Sequence, residues 1–380
     1  MSSITKKETG GYTDKFWYPR FWDGMTVTAW FRVLWKGRFR IAPIRWAMAV
    51  IITGLAIFFN SPAAFLQRLF YGRKIRECKL VAPPIFIIGH WRSGTTLLHE
   101  YMICDERFTF ADTYACFAPS HFLLTRSTLG AFASLLMPKK RPMDNMSAGL
   151  DRPQEDEFAL CALGLPSPYL NMLFPNSPKP IDTNFLTLHN VTENERKTWL
   201  DGLELLLKSL TVKSPRQVIL KSPPHTARVR TILERFPDAK FIHIHRNPVA
   251  LFPSTYNLWM RLATDEGCQR PRGGAALEEF VLKTFEEMYD AFEEDRALLG
   301  DNQICDVAYS ELVAQPVNTL RRVYEKLGIE NFDSVQVEFE SYASTQKSYQ
   351  KNKFELAPEM LEQIKTRWKP YFDKYGYNEV

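Results

Sequence analysis

The stretch PIFIIGHWRSGTTLLHEYM, residues Pro84–Met102, decides the fold. It opens on a short, continuously apolar run, turns between Gly89 and Gly94, and continues as a helical pattern headed by paired threonines. A run with no polar alternation is what a central parallel strand covered on both faces requires. A strand–loop–helix turn of this kind aims backbone N–H groups and the positive end of a helix dipole at an anion. Ser93, Gly94, Thr95 and Thr96 are small enough to let the anion approach the backbone, and the hydroxyls among them add donors. Arg92 brings a charge to the loop's entrance. The glycine spacing is that of GxxxxGK[ST], but Thr95 stands where that loop needs Lys, which counts against γ-phosphoryl transfer.

Strand-like and helical runs alternate from Pro84 onward. RQVILKSPP reads as a strand ending in a turn, HTARVRTILERFP as a helix, and AKFIHIHRNP as the strand Lys240–His245 followed by a helix from Val249. NQICDVAYSEL and NTLRRVYEKLGI supply a further strand and helix. This rhythm predicts an α/β fold: a P-loop-like, doubly wound parallel sheet flanked by helices, with ligands at the carboxyl ends of the strands. The Pro- and aromatic-rich middle, roughly 108–211, reads as mostly helix and loop and is the natural place for acceptor recognition.

These residues resemble a known family. GHWRSGTT is similar to the 5′-phosphosulfate loop of sulfotransferases that use 3′-phosphoadenosine-5′-phosphosulfate (PAPS), whose common P-R-S-G-T-T core has Trp91 in place of Pro here. FIHIHRNPVALFPS resembles the family's 3′-phosphate motif, with Arg246 and, eight residues later, Ser254. VILKSPPHTARV resembles its lysine-bearing strand end. The likeness runs from Pro84 to the C-terminus and is strongest to the broad, largely bacterial group. It implies PAPS as co-substrate, bound by Arg92, Ser93, Gly94, Thr95, Thr96, Arg246, Ser254 and a closing Lys351. No metal is implied, and no metal-ligand cluster is visible in the sequence. The chemistry suits the residues: Arg forks onto phosphate through paired N–H donors, and an eight-residue spacing lets Ser254 join it near one end of a helix.

Sulfuryl transfer to a hydroxyl needs a base, cations for the leaving oxygens and exclusion of water. Lys221 ends an apolar strand and is the candidate for the leaving oxygen. Relatives place a His two residues after this Lys, where this chain has Pro223; the nearest imidazole is His225. The alternative base lies in DRPQEDEFALCAL, where Glu155, Asp156 and Glu157 open a helix with Pro153 in its first turn, and Glu155 is favoured over His225. His99 reads as a packed or capping residue.

Residues 1–83 form a separate basic, aromatic and apolar segment before a sulfotransferase domain at 84–380. Residues 1–84 hold 14 Lys/Arg against 4 acids, although the whole chain of 380 residues nets only +5. The aromatic run Phe16–Trp35 precedes the uncharged WAMAVIITGLAIFF, after which Pro62 predicts a break. Fourteen helical residues rise about 21 Å, short of the ~30 Å hydrocarbon core, and both flanks are basic. That pattern predicts a segment lying on, or dipping into, an anionic membrane surface, with Trp and Tyr at headgroup level. The expected acceptor is a small molecule or lipid with an apolar body; no nucleic-acid partner is expected. The six scattered cysteines read as free thiols of a reducing compartment, hence a cytoplasmic, membrane-peripheral setting. Sequons at Asn145 and Asn190 leave a Golgi-lumenal alternative. Rival functions are a P-loop nucleotide kinase and a non-catalytic, membrane-peripheral nucleotide-binding protein.

Overall fold

The apolar run Ile85–Ile88 forms the middle strand, β1, of a five-stranded sheet. The structure is a computed structural model describing residues 4–6, 19–136, 149–346 and 354–377. The other strands are β2 (Phe108–Phe110), β3 (Gln217–Lys221), β4 (Lys240–His245) and β5 (Ile304–Ala308). They lie in the order β2-β3-β1-β4-β5, every neighbouring pair parallel. Sequence reading missed β2, whose three residues are too few for a periodic signal. Residues Ile4–Lys6 pair antiparallel with Phe354–Leu356 away from this sheet.

All four β1 side chains are buried, and they face two different cores. Phe86 and Ile88 join a cluster with Leu220 and Phe241, whereas Ile85 and Ile87 join one with Ile219, Ile242, Leu98 and Tyr324. Helices therefore cover both sheet faces, which is why the strand shows no polar alternation.

The segment before Pro84 packs into the first of these cores. Phe21, Trp22 and Trp30 are fully buried there, so those aromatics are core residues and not headgroup anchors. Trp35 and Trp46 are exposed. The predicted break at Pro62 does not occur: one helix runs unbroken through Pro43–Glu77, 35 residues. Proline removes the N–H that would close the turn, and a π-helical turn at Ala56–Asn60 takes up the mismatch. Both the backbone N–H and the hydroxyl of Ser61 donate to the Ala56 carbonyl. All six cysteines are unpaired. Asn190 is exposed in a turn, and Asn145 lies outside the described residues.

Candidate active site

β1 and β4 are neighbours in register, Ile88 opposite His243, yet the chain leaves them toward opposite sides of the sheet. A crevice outside the strand ends is expected at such a switch point, and both candidate anion motifs lie there. Gly89 has φ 139°, and a Cβ there would stand 2.3 Å from the Ile244 carbonyl oxygen. Gly94, φ 112°, would drive a Cβ to 2.5 Å from the Tyr309 ring. Both positions thus require glycine. The Gly89 N–H donates to Thr226 Oγ1 at 2.7 Å, tying the loop to the segment after β3. The loop's helix begins at Thr95, buried, with Thr96 half-buried. Ser93 is fully buried and its Oγ has no hydrogen-bond partner among the described residues, a donor held ready for a ligand oxygen.

Arg92 adopts left-handed φ, 69°, a conformation that costs an ordinary residue about 1–3 kcal/mol. Contacts to the second motif offset it. Arg92 Nε donates to Ser254 Oγ at 3.0 Å, and Arg246 Nη1 donates to the Arg92 carbonyl at 2.9 Å. The Arg246 guanidinium also stands over the Tyr309 ring, 4.6 Å from its centre. Tyr371 Oη accepts from the Arg246 N–H and donates to its carbonyl, fixing the backbone from which this side chain projects. Two guanidiniums and two serine hydroxyls from motifs about 150 residues apart are thus brought together, and Lys351 lies outside the described residues.

Beside this crevice the acidic triplet docks on the segment after β3. The helix begins at Asp156, with Glu155 at its N-cap; Pro153 precedes it in a bridge to Asp112 and is not in the first turn. Each acid takes a different basic side chain from residues 221–228. Lys221 Nζ lies 2.9 Å from Glu155 Oε1, His225 Nε2 2.6 Å from Asp156 Oδ2, and Arg228 Nη1 2.5 Å from Glu157 Oε2. Both members of the last two pairs are wholly buried, while the Glu155 side chain remains 13% exposed. Glu155 is the acid of the three that a hydroxyl can reach. Burial tends to raise the Asp156 carboxyl, but the His225 charge and hydrogen bonds from His225 and Ser222 outweigh it and hold Asp156 below the usual carboxylate range.

Glu155 has a further partner that sequence reading missed. Tyr169 Oη donates to Glu155 Oε2, and Trp91 Nε1 donates to Tyr169 Oη at 3.0 Å. Burial, and then the neighbouring Glu155 charge, push the Tyr169 phenol well above its ordinary value, so it stays a donor. The unusual Trp91 is accordingly buried behind the loop as the first link of a chain Trp91–Tyr169–Glu155–Lys221. Only the departure from Pro at that position hinted at it. His99 is fully buried edge-on against Phe110, with neither ring nitrogen hydrogen-bonded among the described residues, and burial lowers it to about 3. Among the described residues no three His, Cys, Asp or Glu side chains are grouped to hold a metal ion.

Comparison with known proteins bears on the same residues. The pattern described as "Sulfotransferase family" matches residues 83–334. The omega-hydroxy-beta-dihydromenaquinone-9 sulfotransferases Stf3 of Mycobacterium bovis and Mycobacterium tuberculosis are each 38% identical over 362 residues, covering 95% of this chain and 92% of theirs. Among solved structures, sulfotransferase STF9 of Mycobacterium avium superposes with TM-score 0.64 at 18% identity, covering 92% of this chain and 96% of that one. STF1 of Mycobacterium tuberculosis H37Rv gives 0.62 at 16%, covering 90% and 91%.

Proposed function

The chain belongs to the sulfotransferase family, and from that premise we propose that it moves a sulfuryl group from PAPS to the hydroxyl of an apolar, lipid-like acceptor. The observation that carries this reading is the convergence of two anion motifs, Ser93 with Arg92 and Arg246 with Ser254, on one crevice. A ligand anionic at both ends of an adenosine needs such a pair of cradles, and these residues fit it. When bound, PAPS supplies the sulfuryl group and an anionic leaving group.

The chain's own residues then divide the work. Backbone N–H groups at the head of the helix Thr95–Met102, with Ser93, Thr95 and Thr96, hold the 5′ end. Arg246 and Ser254 take the 3′ phosphate, and Arg92 bridges the two. Glu155 receives the acceptor's proton. Each carboxylate oxygen has two acceptor sites, so Glu155 keeps capacity beyond Lys221 and Tyr169. Lys221 Nζ, fully buried, places a desolvated positive charge where negative charge develops on the departing oxygen. His225, closed off with Asp156, serves to position the segment that carries Lys221.

The acceptor follows from the relatives. Stf3 is named for an omega-hydroxylated menaquinone, and 38% identity over nearly the whole chain supports an acceptor of that chemical class, a hydroxyl on a long isoprenoid lipid. The setting is the cytoplasmic side of a membrane; the mycobacterial relatives lend no support to a Golgi lumen. Thermal melting with 3′,5′-adenosine bisphosphate or ATP tests the donor site. The bisphosphate at a hundredfold excess over its Kd should stabilise the fold by about 2.7 kcal/mol. A response to ATP alone would contradict the reading.

A further inference from the structure

The long helix Pro43–Glu77 is built inside out. The side chains it turns toward the protein are mostly small or polar: Ala49, Ala56, Asn60, Ala63, Gln67 and Gly72 are buried, with Ile52 and Ile75 the large apolar residues among them. The side chains it turns away are large and apolar, and Val50, Ile51, Phe58, Phe65, Leu69 and Phe70 are 64–82% exposed. A helix at a water-facing surface has the opposite arrangement. Exposed apolar area this extensive on a single element marks a docking surface.

The charge pattern around the helix selects the occupant. From Trp46 to Gln67 no residue is charged, and this stretch is bounded by basic residues: Arg38 and Arg40 before the helix and Arg45 in its first turn, and Arg68, Arg73, Lys74 and Arg76 in its last turns. Exposed Trp35 and Trp46 sit where the apolar and basic regions meet. An apolar strip bordered by Trp and by Lys/Arg fits a bilayer with anionic headgroups. A protein surface would not demand cations at both ends.

The helix lies in the bilayer plane and does not cross it. Twenty-two uncharged residues rise about 33 Å, enough to span, but the inner face is bound to the protein along its length. Trp30 Nε1 donates to Thr53 Oγ1, Asn60 Nδ2 to the carbonyls of Asp23 and Met25, and the Val27 N–H to Ser61 Oγ. Gln67 Oε1 accepts from the N–H groups of Leu123 and Leu124. Spanning would break these bonds in a medium that replaces none of them.

We propose that residues Pro43–Glu77, with the exposed end of the preceding helix at Trp35, form an in-plane docking face for an anionic lipid bilayer. The face lies close to the chemistry. Asn60 holds the backbone of Asp23 and Met25, the Phe21 ring beside them packs tilted against Phe158 with centres 4.9 Å apart, and Phe158 meets Tyr169, the partner of Glu155, edge-on at 5.1 Å. Docking on this side brings a membrane-resident acceptor to the carboxylate without passage through water.

The test is flotation of the full-length protein with vesicles of phosphatidylcholine, alone or mixed with phosphatidylglycerol, and requires no catalysis. The wild type should float with the mixed vesicles, the bound fraction falling roughly tenfold or more in F58E/F65E and falling with added salt. That variant should keep its melting response to 3′,5′-adenosine bisphosphate. For a readout free of variant folding, brominated phospholipid should quench wild-type tryptophan fluorescence through Trp35 and Trp46. A wild type that stays in the aqueous fraction unquenched overturns the proposal. So does a dimer in detergent-free solution that F58E/F65E splits, which would make a second copy the occupant. Vesicle binding without any nucleotide response would sustain the docking face and overturn the sulfuryl-transfer reading instead.

Discussion

Lys221 Nζ and Glu155 Oε1 stand 2.9 Å apart, a buried cation at the end of β3 against the one acid of a triplet that keeps contact with solvent. The pairing joins two segments 66 residues apart and, in the proposed mechanism, sets the base beside the charge for the leaving group. Converting Glu155 to Gln keeps the shape and a hydrogen-bond acceptor but removes the base. Turnover should fall about 10²–10⁴-fold, while affinity for 3′,5′-adenosine bisphosphate, read by calorimetry, stays unchanged. Wild-type turnover in E155Q would move the base elsewhere.

Tyr169 acts through Glu155 and is a positioning residue. In Tyr169→Phe the carboxylate loses one of its two anchors, and buried Trp91 Nε1 loses its acceptor, at a cost of about 1–3 kcal/mol in stability. Steady-state kinetics should show kcat falling with KM for PAPS little changed. A double variant with Trp91→Phe should regain part of the lost stability, because no orphaned donor then remains.

Arg246 reports on the 3′ cradle. Arg246→Ala should weaken binding of the bisphosphate by roughly 10–100-fold, the loss of a charge-assisted phosphate contact. Adenosine 5′-phosphate, which lacks the 3′ phosphate, should bind the wild type and the variant alike. Equal loss for both ligands would mean that Arg246 only holds the Arg92 carbonyl.

Burial lowers His90, His99 and His245 to about 3 and His121 to about 4. The unfolded chain binds these protons near pH 6.5 and the folded chain does not. The stability they contribute is therefore complete above pH 6.5 and lost as pH falls toward 3, by up to about 1.4 kcal/mol per pH unit for each histidine. Chemical denaturation between pH 7 and 5 should show this decline, and His99→Leu should make it shallower. A decline of the same slope in that variant would contradict the assignment.

The sheet was legible because it rests on local pattern: continuous apolar runs for β1 and β3, and an apolar-rich strand closed by a turn for β4; the loop at Gly89–Thr96 and the Arg246–Ser254 segment fall at strand ends, as that pattern predicts. What sequence hid depends on distant partners. Nothing local distinguishes Glu155 from Asp156 and Glu157; their separation comes from three basic side chains spaced along residues 221–228. Pro62 announces a break, and only the π turn before it, with Ser61 on the Ala56 carbonyl, shows how the helix continues. Trp22 and Trp30 share composition with exposed Trp35, and burial alone separates them.

The central claim is sulfuryl transfer from PAPS with Glu155 as base. Its most direct measurement is incubation of the wild type and E155Q with sulfur-labelled PAPS and an omega-hydroxylated isoprenoid quinone, followed by mass spectrometry of the lipid fraction. The wild type should yield a lipid carrying one added sulfuryl group, and E155Q should form that product about 10²–10⁴ times more slowly. Label that stays in the nucleotide with the wild type, although the bisphosphate binds, would contradict it.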